Sequence, residues 1–162
     1  MVIEPDAVTR FHDAAAIWSG GVGAPDTVVQ AACDVLADGY DGHFLAMLAA
    51  LPLGGVDDAG VEDLLEQSLA ELGVGYHIPR GRDAAEAALA AMARRVLAGS
   101  LSPRELTSWT HRAFGHDRLP LAERLSELDD VYDSVDSAET SEEVDQMIIT
   151  EATKIVARRD GQ

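Results

Sequence analysis

Glycine and proline cut this chain into short stretches, and within each stretch apolar side chains recur at three- and four-residue steps. That combination points to one kind of fold. Such a period places the apolar side chains on one face of an α-helix, and the glycines and prolines supply the stops. Aromatics are only 5 % of the chain. Ala, Leu and Val dominate the rest of the apolar set, a mix that suits helices better than strands, because Ala and Leu lose little freedom on entering a helix.

The first segment spans Asp6 to Ser19, with Val8, Phe11, Ala15 and Trp18 on one face and Gly20-Gly21-Val22-Gly23 as its stop. Pro25 and Asp26 open a second, striped by Val28, Ala32, Val35 and Leu36 and closed by Gly39. The third, Asp41 to Leu51, is apolar nearly all round, which predicts a place at the centre of the fold. The fourth begins near Asp57 and carries Val61, Leu64, Leu65, Leu69 and Leu72 as far as Gly73.

The second half is punctuated by three candidate capping boxes, in which a helix-starting side chain and a carboxylate three residues on satisfy each other's backbone N–H groups. They are Asp83–Glu86, Ser102–Glu105 and Thr140–Glu143. Behind the first stand Ala88, Ala91, Met92 and Val96, and behind the second Leu106, Trp109 and Ala113, with Gly115 as stop. A seventh segment, Pro120 to Ser134, presents Leu121, Leu125, Leu128 and Tyr132, and Val135 follows. The last places Val144, Met147, Ile148, Ala152, Ile155 and Val156 inward, with 157–162 expected to fray. The expected fold is all-α, a compact multi-helix bundle of about seven to eight helices.

At 162 residues the chain fits a single domain, 1–162. The glycine-rich stretch 73–81, where the charge also changes sign, marks a candidate subdomain seam. The longest apolar run, Phe44 to Leu53, is half the roughly twenty residues that a bilayer span needs, so no membrane helix is expected. The N-terminus has neither a basic start nor an apolar signal core, which argues for a cytoplasmic protein. Cys33 is the single cysteine, has no base or cation beside it in sequence, and reads as a small core residue.

The net charge of −17 excludes ordinary nucleic-acid binding, which needs clustered Lys and Arg. Its distribution is uneven. Residues 1–79 hold thirteen acids against one base, Arg10; residues 80–115 hold six arginines against three acids; residues 116–145 hold eleven acids against two arginines. Two acidic blocks flank a mildly basic one, so the acids either neutralise packed neighbours or form a surface for a basic partner. The expected function is therefore an acidic helical interaction module, immunity- or inhibitor-like in character, binding a basic protein surface. Its contact faces would be Asp57, Asp58 and Glu62, and Asp129, Asp130, Asp133 and Asp136. The Ala-rich stretch Ala84–Ala93 also permits a homo-oligomer.

Three constellations could carry chemistry. Asp129-Asp130-Val131-Tyr132-Asp133 resembles the aspartate-rich motif of the helical isoprenoid synthases, a resemblance of five residues that implies magnesium held between Asp129 and Asp133. The apolar stripe Leu125, Leu128, Tyr132 and Val135 would turn those aspartates to the solvated face. His111 and His116 flank a helix end and could converge on a divalent metal with Asp129 and Asp133, provided the loop turns back. This corner is the alternative reading, a metal-dependent helical enzyme or metal-binding protein. Finally, Tyr76, His77, Arg80 and Arg82 form a loop suited to an anion or a partner, next to a helix N-terminus. No nucleophile elbow or phosphate loop is present, and no cofactor other than a divalent metal is expected.

Overall fold

Asp6, Asp57 and Ser102 each stand one residue before a helix and accept a hydrogen bond from a backbone N–H of its first turn, at Thr9, Gly60 and Glu105 respectively. Those free N–H groups are the unmet donors of any helix start, and a short polar side chain satisfies them locally. The Glu105 carboxylate also returns to the Ser102 N–H at 2.9 Å, completing the expected capping box. The computed structural model describes residues 4–135 and 138–162, with the side chains of 138 and 139 outside that description. Among the described residues the fold is all-helical, and no strand occurs.

The helices are α1 (Ala7–Ser19), α2 (Pro25–Ala37), α3 (His43–Ala49), α4 (Asp58–Glu71), α5 (Arg82–Leu97), α6 (Pro103–Phe114), α7 (Glu123–Asp133) and α8 (Ala138–Asp160). A 3₁₀ turn, Pro120–Ala122, leads into α7. The described chain falls into two compact units, Glu4–Ala88 and Leu89–Gln162, and the division lies inside α5.

In the first unit, Phe11, Val28, Ala32, Val35, Leu45, Leu48, Val61 and Leu65 are wholly removed from solvent. α2 packs on α1, α3 and α4, and α3 packs on α4. α3 departs from expectation. Only Leu45 and Leu48 of its seven residues are buried, so it lies at the surface of the unit and not at its centre. A short helix between α2 and α4 has contacts on one side alone, and an apolar composition cannot create a neighbour for the other side. Glu71, from the end of α4, caps α3 by accepting from the N–H groups of Phe44 and Leu45, both at 3.0 Å. Gly20 ends α1 close against α5, where an added Cβ would stand 2.7 Å from the Cβ of Ala88.

In the second unit, Leu106, Leu125, Leu128, Ile148 and Ile155 form the buried centre shared by α6, α7 and α8. The helix start near the expected capping box at Asp83–Glu86 lies one residue earlier. α5 already begins at Arg82, so Asp83 lies within the helix and pairs with His77, while Glu86 accepts from Arg82 Nε at 2.9 Å. Thr140 lies inside α8, whose start adjoins residues 136 and 137, outside the described set. α8 runs to Asp160.

Candidate functional site

The corner between α6 and α7 gathers two histidines and three carboxylates, His111, His116, Glu123, Asp129 and Asp130. Gly115 closes α6 with φ +62° and ψ −146°, a backbone region open in practice to glycine alone, and its N–H returns to His111 O at 2.8 Å. The buried Ser126 hydroxyl donates to Gly115 O at 2.8 Å and ties the turn to α7. Asp117 also takes a positive φ, and its N–H donates to Glu123 Oε2 at 2.7 Å. These contacts fold the loop back, so that His116 lies over α7.

His116 is held from both sides. Its Nδ1 is 2.8 Å from Glu123 Oε1, and its Nε2 is 3.0 Å from Asp130 Oδ2. His111, in the last turn of α6, places Nδ1 3.0 Å from Asp129 Oδ2 and 3.7 Å from Asp130 Oδ1. The two imidazole rings meet edge-on with centroids 4.9 Å apart. One ligand atom each from His111, His116 and Asp130 lie within 4.8 Å of one another. The group is partly open to solvent, with His116 and Asp130 exposed and His111 half-buried.

The local charges reinforce this arrangement. The Glu123 hydrogen bond raises the His116 pKa above its ordinary value against the opposing effect of burial, with Asp130 adding to the rise. The Asp117 N–H holds Glu123 below its usual range, and His116 lowers it further. Each partner thus favours the charged form of the other.

The remaining sequence candidates sit elsewhere. Asp133 is drawn away to Arg104 at 3.8 Å, whose guanidinium lies over the Tyr132 ring. Asp129 and Asp133, which the isoprenoid-synthase resemblance would set around one magnesium, therefore point to different partners on α6. A helix places residues four apart on one face, but it does not choose which neighbour each one meets. Glu123 was not among the sequence candidates and Asp130 was expected only on a partner-contact face; seven residues along α7 span two turns, so both lie on the face that meets His116.

Asp57 is spent on capping α4, and Asp58 accepts from Trp18 Nε1 at 2.8 Å. Glu62 lines a shallow cleft with Trp18, Asp58, Pro79 and Arg80. Asp136 lies outside the described residues. The loop candidates disperse as well: Arg82 is paired with Glu86 and His77 with Asp83. Arg80, at φ +62°, donates its backbone N–H to Ser19 O at 2.7 Å and shares its cleft with two carboxylates, which repel an anion. Tyr76 packs against the core of the first unit, and burial raises its phenol pKa, with Glu66 and Glu62 adding to the rise. No helix among the described residues is long and apolar enough to cross a membrane. Comparison with protein-family models, with curated proteins and with solved structures finds no match to this chain.

Proposed function

We propose that this protein binds a divalent transition-metal ion at the α6–α7 corner through His111, His116 and Asp130. The observation that carries the reading is the approach of three ligand atoms to within 4.8 Å of one another. Ligands of one tetrahedral ion with bonds near 2.0 Å stand about 3.3 Å apart. His116 Nε2 stands 3.0 Å from Asp130 Oδ2, near that edge, and His111 Nδ1 stands 3.7 Å from the other oxygen, Asp130 Oδ1, so one carboxylate faces both imidazoles.

The donor set decides the class of metal. Two imidazoles and one carboxylate suit zinc, iron, nickel or copper, whereas magnesium and calcium take all-oxygen shells. Glu123 completes a recurring arrangement in which a carboxylate holds one imidazole nitrogen so that the other faces the metal. Three protein ligands leave a coordination position for water or a small ligand.

The test is calorimetric titration of chelator-stripped protein with zinc and with magnesium. Zinc binds at one site, magnesium at equal concentration does not, and His116→Ala and Asp130→Asn each remove the zinc heat. At a hundredfold excess of zinc over its Kd the folded state gains about 2.7 kcal/mol, read as a raised unfolding temperature. Absence of zinc binding, or binding indifferent to both substitutions, overturns the reading.

A further inference from the structure

We infer that the outer face of α3 is a docking ridge for a basic amphipathic helix of a partner protein. The argument starts from the misfit between the composition of α3 and its placement. Tyr40 just before it, Met47 upon it and Leu53 just after it are 48 %, 45 % and 54 % exposed. Together they are the largest concentration of exposed bulky apolar side chains in the first unit, within fourteen residues of chain. Scattered single cases mean little, but a grouped set with a charged rim marks an interaction surface.

The scaffold sets the length of the ridge. Tyr40 donates its N–H to Val35 O at 3.4 Å, at the C-terminal end of α2. Gly54, next to Leu53, donates its N–H to Asp26 Oδ2 at 2.8 Å, at the N-terminal end of α2. Val35 and Asp26 stand nine residues apart on α2, about 14 Å at 1.5 Å per residue, so the backbone anchors beside Tyr40 and Leu53 are set about that far apart. Met47 occupies the middle of α3 between them. A partner helix of two to three turns presenting side chains at i, i+3 or i+4, and i+7 or i+8 matches a strip of that length. The unbranched Met side chain adapts to the irregularities of an incoming surface.

Charge selects the occupant. No Lys or Arg stands between Arg10 and Arg80, while Asp38 and Asp41 are exposed at one end of the strip, and Asp26 and Asp57 flank the other. A partner helix with Lys and Arg beside its apolar stripe meets complementary charge at both ends. A second copy of this chain, at net charge −17, meets repulsion instead. The ridge lies wholly in the first unit and does not rest on the metal reading.

The test uses a synthetic sixteen-residue peptide with leucines on one helical face and lysines on the other, and a scrambled peptide of identical composition. Titrated into the full chain at low salt, the amphipathic peptide binds at least tenfold more tightly than the scrambled one. The double substitution Met47→Ser with Leu53→Ser removes that advantage and leaves the weak binding of the scrambled peptide unchanged. Circular dichroism of the double variant checks that its helices are intact; both side chains are about half exposed and neither belongs to the buried core, so the fold is retained. Equal binding of the two peptides means attraction by charge alone and overturns the inference, as does an advantage that survives the double substitution. A concentration-dependent dimer lost in the same variant overturns it too, since the occupant is then a second copy.

Discussion

His116 Nδ1 lies 2.8 Å from the Glu123 carboxylate, and that contact determines which nitrogen of the ring faces Asp130. A histidine whose second nitrogen is held in this way is oriented before any ion arrives. Glu123→Ala is expected to weaken zinc binding by about ten- to a hundredfold, the usual effect of removing such a support. Calorimetric titration of this variant beside His116→Ala separates the roles: weakening for the first, abolition for the second. Unchanged affinity in Glu123→Ala would deny Glu123 a part in the site.

Asp133 provides the contrast. Its 3.8 Å contact with Arg104 is an exposed ion pair, worth roughly 0–1 kcal/mol. Asp133→Asn should leave zinc affinity within twofold of the parent and the unfolding midpoint nearly unchanged. A loss comparable to that of Asp130→Asn would mean that Asp133 joins the metal after all.

Glu71 predicts an acid-sensitive helix. Burial pushes its carboxyl up, but the N–H groups of Phe44, Leu45 and His43 outweigh that and hold its pKa below the ordinary 4.5. A carboxylate with a depressed folded-state pKa contributes stability above its unfolded value and loses it as pH falls through the folded one. The difference in urea midpoint between the parent and Glu71→Gln should therefore be constant near neutral pH and shrink below about pH 4.5. Glu71→Ala should cost about 1 kcal/mol at neutral pH, as the loss of a helix cap does. A difference independent of pH would show that the charge of Glu71 is immaterial.

Gly20 predicts a packing limit. Its φ of −69° is open to any residue, so the constraint on it is space. An added Cβ would lie 2.7 Å from the Ala88 Cβ, closer than two carbon atoms allow, and overpacking of this kind costs typically 1–3 kcal/mol. Gly20→Ala should lower the denaturant midpoint, and Gly20→Ala combined with Ala88→Gly should recover most of the loss. Failure of the pair to recover would place the cost elsewhere than in this contact.

Much of the helical pattern was legible because its determinants are local. Asp6, Asp57 and Ser102 act on N–H groups three residues ahead, and proline and glycine act on their own backbone. The sequence also located the corner at His111 and His116, since a helix stop between two imidazoles invites a turn back. It did not identify Asp130 and Glu123 as the groups that meet His116. That choice depends on the rotation of α7 against α6, which the Ser126–Gly115 contact secures across eleven residues. The pairing of Asp83 with His77 and of Glu86 with Arg82 was not legible either, since it depends on how the loop before α5 approaches the helix.

The sequence by itself determined that this protein is helical, where most of its helices begin and end, and that its charge is strongly negative. These are properties of short stretches, set by backbone freedom, capping and apolar period. Tertiary structure alone decided that apolar α3 lies at a surface, that Glu71 caps it from 27 residues away, and that Asp130 and not Asp133 joins the two histidines. Periodicity specifies the face a residue occupies on its own helix. Which neighbour that face meets is settled only when the helices pack.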